Sequence, residues 1–220
     1  ESSAASDVYK RQLLGLISAY EWRKTGIAIQ GLDAPIHAHY GVFAPTRAEY
    51  LALIRQAALP HANSKTAFDL GTGTGVLAAL LVKKGITHVI ATDTSARALA
   101  CARQNIESLG LTQQISLQQV DLYPTGRADL VVCNPPWLPG RPASPLEHAI
   151  YDQDQHMLSG FLNGLAEHLN PKGQGWLILS DLAEHLHLRS REQLLTQIEK
   201  AGLVVIAKHD IRPHHPKAKD

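Results

Sequence analysis

Four residues that directly follow an apolar run carry an unusual combination of chemical groups. Asn134, Pro135, Pro136 and Trp137 come immediately after the apolar residues 131–133. Asn134 offers a side-chain carbonyl and Pro135 a backbone carbonyl, while the two prolines fix φ and add no N–H group that would compete for these acceptors. The indole of Trp137 adds a flat apolar face. Such a corner suits chemistry at a planar nitrogen, because two acceptors can hold its N–H groups and stabilise positive charge that develops on it.

A glycine-rich turn lies between a short apolar run and an apolar helix. Residues 69–75 read DLGTGTG. Glycines at such a turn let the backbone fold tightly and approach a bound ligand closely. The G-x-G-x-G spacing and the lack of a basic residue favour a ligand without a pyrophosphate, but nicotinamide, flavin and S-adenosylmethionine binders all use glycine turns. We predict that this turn binds a cofactor through Asp69, Gly71, Thr72, Gly73 and Gly75.

Two aspartates come at the ends of the next two predicted strands. Asp93 ends the second strand, where a carboxylate can accept hydrogen bonds from both hydroxyls of a ribose. Asp121 ends the third strand, where it could accept from an adenine amine. Either aspartate could instead cap a turn or a helix. Together with Thr94, Leu122 and Asn134, the two aspartates complete the predicted cofactor site.

The elements that must position these groups alternate between strand and helix from residue 66 onward. Apolar runs predict strands at 67–70, 88–92, 115–118, 130–132, 176–179 and 203–206. Apolar residues at helical spacing separate these strands. The strand at 130–132 is continuously apolar and therefore central, whereas the one at 115–118 alternates as an edge strand does. This order predicts an α/β fold with a doubly wound, mostly parallel sheet and helices on both faces.

Composition limits the class of protein. The chain has 220 residues, of which 45% are hydrophobic, and its formal net charge is +1. This length suits one domain, and the charge gives no broad basic surface for nucleic acid. Cys101 and Cys133 lie far apart and predict buried thiols in a reducing compartment. No apolar run approaches the roughly 20 residues that span a bilayer, so we expect a cytoplasmic protein without a membrane segment.

The predicted domain organisation has four parts. Residues 1–12 resemble a translated library adapter and are predicted to be a non-native tail. Residues 13–62 are predicted to be a partly helical N-terminal extension, 63–211 the catalytic domain and 212–220 a polar, truncated tail. No metal site is predicted, because His185 and His187 point apart on a helix.

The order of the motifs resembles that of the class I, Rossmann-like S-adenosylmethionine-dependent methyltransferases. The resemblance runs from about Phe43 to Ile211 and comprises DLGTGTG, ATD, QQVD and VVCNPPW in that order. Within this superfamily the chain is similar to the small-domain methyltransferases, which include release-factor glutamine methyltransferases and amine methyltransferases of rRNA, tRNA and DNA. The resemblance implies S-adenosylmethionine as the cofactor. It also implies a sheet that closes with a final hairpin, and since residues 212–220 are few and polar, we expect the final strand to be missing.

The resemblance also implies roles for residues outside these motifs. The stretch VFAPTRAEY at 42–50 is similar to a segment on the substrate side of these enzymes, which implies that Phe43, Thr46 and Arg47 close over the site. Asn134 and Pro135 would then hold the acceptor nitrogen and Trp137 would stack on its planar group. Arg141 follows the corner and could meet a substrate phosphate or remain a solvated residue at its lip.

Two substrate classes and two alternative functions remain open at this point. The acceptor would be a nucleobase amine in RNA or DNA, or a glutamine in a protein such as a translation factor. The stretch 144–158 has Asp152, Asp154 and Gln155 where the release-factor enzymes have glycines, which argues against glutamine, whereas the charge of +1 argues against strong autonomous binding of nucleic acid. A nicotinamide-dependent oxidoreductase would use Asp93 but leave the Asn-Pro-Pro-Trp corner without a role. A catalytically silent cofactor-binding module is the other alternative.

Overall fold

The computed structural model describes residues 20–46, 49–140 and 151–212. The parallel strands of the main sheet are β1 (Thr66–Leu70), β2 (His88–Thr92), β3 (Ile115–Gln118), β4 (Ala128–Cys133) and β7 (Leu169–Leu177). A separate parallel pair consists of β5 (Leu138–Pro139) and β6 (Tyr151–Asp152). The helices are α1 (Glu49–Gln56), α2 (Val76–Lys83), α3 (Ala96–Ser108), α4 (His156–His168), α5 (Leu182–His185) and α6 (Arg191–Lys200). Within the described ranges, no helix is both long and apolar enough to cross a membrane.

The strand order of the sheet places a ligand-binding crevice beside β1. The strands lie in the order β3-β2-β1-β4-β7, so the chain first moves outward from β1 to β3 and then returns to the other side of β1. In open α/β sheets, ligands bind at the carboxyl ends of the strands where the winding reverses in this way. The crevice therefore lies between the ends of β1 and β4, and the predicted α/β, doubly wound sheet is confirmed.

Helices cover both faces of the sheet. One hydrophobic cluster joins α1, α2 and α3 to one face, and a second joins α4 and α6 to the other. All six residues of β4 are buried, as a strand between two neighbours and two helical layers requires. Two of these helices begin at serine caps: the hydroxyl of Ser95 accepts from the amide of Ala98, and Ser190 forms a capping box with Gln193.

The prediction of a sixth strand at 203–206 is wrong. Residues 203–212 form no strand, and Val204 and Ile206 are 82% and 68% exposed. Leu203 packs against the cluster of α4 and α6, and its amide closes the end of α6 by donating to the carbonyl of Ile198 at 3.1 Å. An apolar run becomes a strand only where a neighbour pairs with its backbone. No described strand lies beside this run.

The last strand of the main sheet also differs from its prediction. β7 begins seven residues before the predicted strand and ends at Leu177 rather than at residue 179. The segment 170–173, which contains a proline and a glycine, lies within β7. A shift in the pairing between Ala128 and Leu130 of β4 accommodates the extra length. Sequence patterns do not predict such a bulge, since it depends on the partner strand.

Asp129 holds the strands together at the amino edge of the sheet. Its Oδ2 accepts from the amides of Lys65 and Thr66 at 2.7 and 3.0 Å, and its Oδ1 accepts from the side-chain nitrogen of Asn170 at 2.9 Å. Burial alone would raise the pKa of Asp129, but these hydrogen bonds outweigh it and lower the pKa to about 2. A slip of β1 against β4 would break these bonds, so Asp129 fixes their register.

At the carboxyl edge, Asp69 ties β1 to the segment that follows it. This residue of β1 is fully buried, and its Oδ2 accepts from the hydroxyl of Thr72 at 2.7 Å and from the amide of Ala78 at 3.1 Å. It therefore joins β1 to the glycine turn and to the first turn of α2. Burial raises the pKa of Asp69 to about 6, against the opposing effect of the bonds from Thr72 and Ala78, and the charge of Asp93 adds to the rise.

We expect the raised pKa of Asp69 to appear in the stability of the protein. Because the folded pKa of about 6 exceeds the ordinary 3.8, the stabilising contribution is complete below pH 4 and is lost as the pH rises through 6. Asp69→Asn keeps an acceptor for Thr72 and Ala78 but cannot ionise. Between pH 4 and 7.5, the free energy of unfolding of the wild type should fall relative to that of Asp69→Asn by up to about 3 kcal/mol, measured by urea unfolding. Parallel pH profiles of the two proteins would contradict this assignment.

Candidate active site

Three predicted functional residues follow three strand residues that are paired across the sheet. Leu70 is the register partner of Thr92 in β2 and of Cys133 in β4. Since the strands are parallel, the next residue of each chain segment emerges at the same edge. The glycine turn, Asp93 and Asn134 therefore start side by side at the crevice. The structure brings together the glycine turn, Asp93 and the Asn-Pro-Pro-Trp corner, as the sequence predicted.

The glycine turn has a backbone that only glycine adopts without strain. Gly71, Gly73 and Gly75 have φ values of 70°, 57° and 82°. The amide of Thr72 donates to the carbonyl of Thr92 at 2.8 Å, which ties the turn to the end of β2. A Cβ on Gly75 would lie only 3.3 Å from the Cβ of Ala102, so the third glycine allows α3 to pack closely against the turn.

Both carboxylate oxygens of Asp93 accept hydrogen bonds from backbone amides. Its Oδ2 accepts from the amide of Gly73 at 3.0 Å and its Oδ1 from the amide of Ser95 at 2.9 Å. Burial raises the pKa of Asp93, although these bonds act in the opposite direction. The second bond is the turn-capping role that the sequence left open as an alternative. A carboxylate has about four acceptor positions, so these two bonds leave room for a ligand hydroxyl at each oxygen.

Asp121 and Leu122 lie beyond the end of β3, whereas the sequence predicted Asp121 at the end of this strand. β3 ends at Gln118, so Asp121 does not end this strand but follows three residues later. Its Oδ2 lies 2.9 Å from Nε2 of His156, the first residue of α4, and both side chains are largely exposed. Leu122 has a positive φ of 59° and accepts the hydroxyl of Thr92 at its carbonyl, at 2.6 Å. The loop that follows β3 is therefore tied to the end of β2 by this hydrogen bond.

The Asn-Pro-Pro-Trp corner is held by a hydrogen bond of its own. The indole Nε1 of Trp137 donates to Oδ1 of Asn134 at 3.0 Å. Because the indole N–H can only donate, this bond fixes the carbonyl oxygen of the carboxamide toward the tryptophan. The ring of Phe43 meets Trp137 edge to face, with centroids 6.4 Å apart and an interplanar angle of 67°. Of the two prolines, Pro135 is buried and Pro136 is half-buried.

The residues that follow the corner are held by the short sheet of β5 and β6, and β6 in turn is held by the first turn of α4. Leu138 and Pro139 pair with Tyr151 and Asp152 of β6, and the amide of Gly140 donates to the carbonyl of Asp152 at 3.3 Å. The carboxylate of Asp152 accepts from the first amides of α4 at 3.0 Å, those of Met157 and Leu158. Of the three residues that depart from the glycine-rich pattern, Asp152 therefore caps the first turn of α4, and Asp154 and Gln155 lie in the short turn directly before this helix.

Sequence reasoning missed two residues that contact the glycine turn. A Cβ on Gly71 would overlap the terminal methyl group of Met157, so this side chain lies directly against the turn. A Cβ on Gly73 would lie 4.0 Å from Cγ1 of Val42, so the N-terminal segment reaches the other side. Met157 matched the helical spacing of a core residue, and nothing in the local sequence distinguishes a core methionine from one beside a ligand.

The structure shows little about the roles of the other predicted site residues, Thr94, Thr46, Arg47 and Arg141. Thr94 is exposed and its carbonyl accepts from the side chain of Gln119 at 3.1 Å. Thr46 is exposed and its amide donates to the carbonyl of Ala44 at 2.7 Å. Arg47 and Arg141 lie outside the described residues. In the described part of the chain, no group of three or more His, Cys, Asp or Glu side chains is arranged to hold a metal ion.

Comparisons with known proteins agree with this arrangement. The family model for the methyltransferase small domain matches residues 33–205. A release factor glutamine methyltransferase from Cereibacter sphaeroides is 33% identical over 141 residues, which are 62% of this chain and 47% of that protein. A ribosomal RNA large subunit methyltransferase G from Aeromonas hydrophila subsp. hydrophila is 33% identical over 115 residues, 50% of this chain and 30% of that protein. The chain therefore spans less than two thirds of the length of these relatives.

A solved structure extends the likeness to the fold. The crystal structure of a methyltransferase from Pyrococcus furiosus has 22% sequence identity and a TM-score of 0.56, and the match covers 87% of this chain and 85% of that chain. The matched family model includes every strand of the main sheet, the glycine turn and the corner. From this match and the geometry of the site, we conclude that the chain belongs to the methyltransferase small-domain family.

Proposed function

We propose that the chain transfers a methyl group from S-adenosylmethionine to a planar amine or amide nitrogen. The observation that carries the proposal is the register of β1 with β2 and β4, which sets the glycine turn, Asp93 and Asn134 side by side. A nicotinamide-dependent oxidoreductase would need the first two of these features but has no use for the third. The corner is therefore what favours methyl transfer.

The residues of the crevice fit S-adenosylmethionine. A ribose could bind at Asp93, whose Oδ2 accepts from Gly73 and whose Oδ1 accepts from Ser95, since a carboxylate has about four acceptor positions. The turn offers glycine backbone and no basic side chain, which suits a cofactor without phosphates. Asp121 and Leu122 would lie toward the adenine, and Gly71, Thr72 and Gly73 toward the amino-acid portion. When bound, this cofactor supplies an electrophilic methyl group on a sulfonium.

The corner of the chain would act on the acceptor nitrogen. A carbonyl oxygen has two lone pairs, and Trp137 uses one of those on Asn134. The second lone pair and the carbonyl of Pro135 can accept the two N–H groups of an amide or aromatic amine. Both bonds strengthen as the nitrogen becomes cationic, so the corner stabilises the transition state more than the ground state. The proton then leaves readily for solvent, and no general base is required.

Trp137 would have two tasks in this mechanism. Its N–H orients the carboxamide of Asn134, so the carbonyl rather than the amino group is presented. Its ring can stack on the planar group that bears the nitrogen, and the edge-to-face contact with Phe43 limits its movement. The two tasks belong to different parts of the side chain and can be separated by substitution.

We expect the substrate class to be identified by the destination of a labelled methyl group. Relatives of the chain are named for methylation of glutamine in a release factor and of ribosomal RNA, and the corner suits both kinds of nitrogen. Purified protein is incubated with radiolabelled S-adenosylmethionine and a cell lysate, with and without nuclease or protease, and with Asn134→Ala as the control. Label that depends on Asn134 and disappears with one of the two enzymes identifies the class. Label equal in both proteins, or none, would contradict the proposal.

We expect Asp93→Ala to weaken the binding of S-adenosylhomocysteine by about 1.5–3 kcal/mol, which is the range for hydrogen bonds to a charged group. Because Asp93 also holds the amides of Gly73 and Ser95, part of any loss could come from the turn. Ser95→Ala is the matched control, since it removes the neighbouring helix cap but leaves the carboxylate. Calorimetric titration should show near wild-type affinity for the control. Unchanged affinity of Asp93→Ala would exclude the ribose role.

We expect Asn134→Ala to reduce turnover by roughly 10²–10³, as loss of one preorganised group typically does, and to leave cofactor affinity within a few-fold. Trp137→Phe keeps a flat ring but removes the N–H, so turnover should fall while the Michaelis constant for the acceptor stays close to that of the wild type. Trp137→Ala should change both quantities.

These three variants need turnover assays and S-adenosylhomocysteine titrations on the same preparations. Wild-type turnover by Asn134→Ala would refute the role of the carbonyl. A loss of cofactor binding as large as the loss of turnover would show that Asn134 serves the cofactor rather than the acceptor.

A further inference from the structure

A segment of the N-terminal part of the chain crosses the site. Residues 37–43, here called the strap, run along one face of α3. The carbonyl of Tyr40 accepts from Nη1 of Arg97 at 3.3 Å, and Nε2 of His39 lies 2.6 Å from Oε1 of Gln104. The strap then reaches Val42, which lies beside Gly73. Its last residue contacts the tryptophan of the corner.

The strap begins at a buried carboxamide. Asn105 of α3 is 1% exposed. Its Oδ1 accepts from the amide of His37 at 2.9 Å, and its Nδ2 donates to the carbonyl of His37 at 3.0 Å. The same Nδ2 donates to the carbonyl of Thr74 in the glycine turn at 2.9 Å. One side chain therefore binds both the strap and the turn.

The chemistry of these bonds requires a carboxamide. The bonds to His37 use one acceptor and one donor, as a neighbouring β-strand would, and the second N–H reaches the turn. An aspartate could serve the amide of His37 but would face two carbonyl oxygens without a proton to donate. Asparagine is unfavourable in the middle of a helix, because it competes for backbone hydrogen bonds. Its place inside α3 is explained by the groups it holds.

We infer that Asn105 is a positioning residue that couples the closed strap to the glycine turn and so sets the affinity for the cofactor. The inference rests on the proposed function. Val42 and Phe43 reach the turn and the corner only while the strap lies on α3. If a fraction of the molecules has the strap closed, the apparent dissociation constant is the intrinsic one divided by that fraction. Loss of the Asn105 bonds lowers the closed fraction and raises the apparent constant.

The experiment compares variants that loosen the strap with variants that only loosen the core. Asn105→Ala removes the three bonds to the strap and the turn, and Asn105→Asp removes the two that Nδ2 donates to His37 and Thr74. Arg97→Ala removes the exposed bond to Tyr40 without touching the core. The controls are Ile106→Val and Ile106→Ala, because Ile106 is the next residue of α3, is 3% exposed and packs in the core away from the strap. The melting temperature of each variant allows comparison at equal loss of stability.

Two readouts are taken on each variant. Hydrogen–deuterium exchange of residues 37–43 without ligand measures the strap alone. Titration with S-adenosylhomocysteine measures its consequence for binding. We expect faster exchange in both Asn105 variants and in Arg97→Ala, and a dissociation constant about tenfold higher in Asn105→Ala than in an Ile106 variant of equal stability. The Asn105→Asp protein should recover slow exchange at low pH, where its carboxyl group can donate again.

The outcomes separate this inference from the proposed function. If Asn105→Ala does not fold, Asn105→Asp and Arg97→Ala carry the test. Exchange in the strap as slow as in the wild type, or an affinity change no larger than that of the Ile106 controls, overturns the positioning role. If the wild type itself fails to bind S-adenosylhomocysteine, the proposed function fails, and the same result removes the coupling to affinity that we infer here.

Discussion

The register of β1 against its two neighbours is the constraint on which the rest of the site depends. Leu70 faces Thr92 and Cys133 across the sheet, and the chain leaves all three strands at the same level. The residues that we propose to be functional, Gly71, Asp93 and Asn134, come one position later in each case. A slip of one residue would turn the side chains of β1 to the opposite face and displace the turn from Asp93 and Asn134.

Asp129 fixes this register at the amino end of β1, while Asp69 ties the carboxyl end of β1 to the glycine turn, and the pKa values of the two buried aspartates shift in opposite directions. Asp129 gathers backbone and side-chain donors, which lower its pKa to about 2 and keep it charged. Asp69 receives fewer donors in a fully buried position, and its pKa rises to about 6. The charged acid serves a part of the sheet far from the crevice. The acid beside the glycine turn is the one whose protonation changes near neutral pH.

Much of the fold followed from the sequence because its signals are local. The apolar runs of β1 to β4 and the glycine turn after β1 depend on neighbouring residues, and these predictions are confirmed. The run at 203–206 misled for the same reason, since its composition suits a strand but no described partner lies beside it. The early start of β7 and its bulge depend on pairing with a distant strand, which composition does not encode.

Residues of the candidate site could be predicted where they belong to a short sequence motif. They could not be predicted where they depend on contacts between residues far apart in sequence. The glycine turn, Asp93 and the corner could be recognised from residue type and spacing. The contacts of Met157 with the turn, of Phe43 with Trp137 and of Asn105 with His37 join residues that are distant in sequence. No local pattern distinguishes these residues from ordinary core or surface positions.

In the proposed function, one row of strand ends binds the cofactor on one side and the acceptor nitrogen on the other. A crystal structure with S-adenosylhomocysteine would show whether the row does so. We expect ribose hydroxyls within hydrogen-bonding distance of the Asp93 carboxylate and a sulfur atom that faces Oδ1 of Asn134. A ligand bound elsewhere, or one whose ribose makes no bond to Asp93 and whose sulfur points away from the corner, would refute this arrangement.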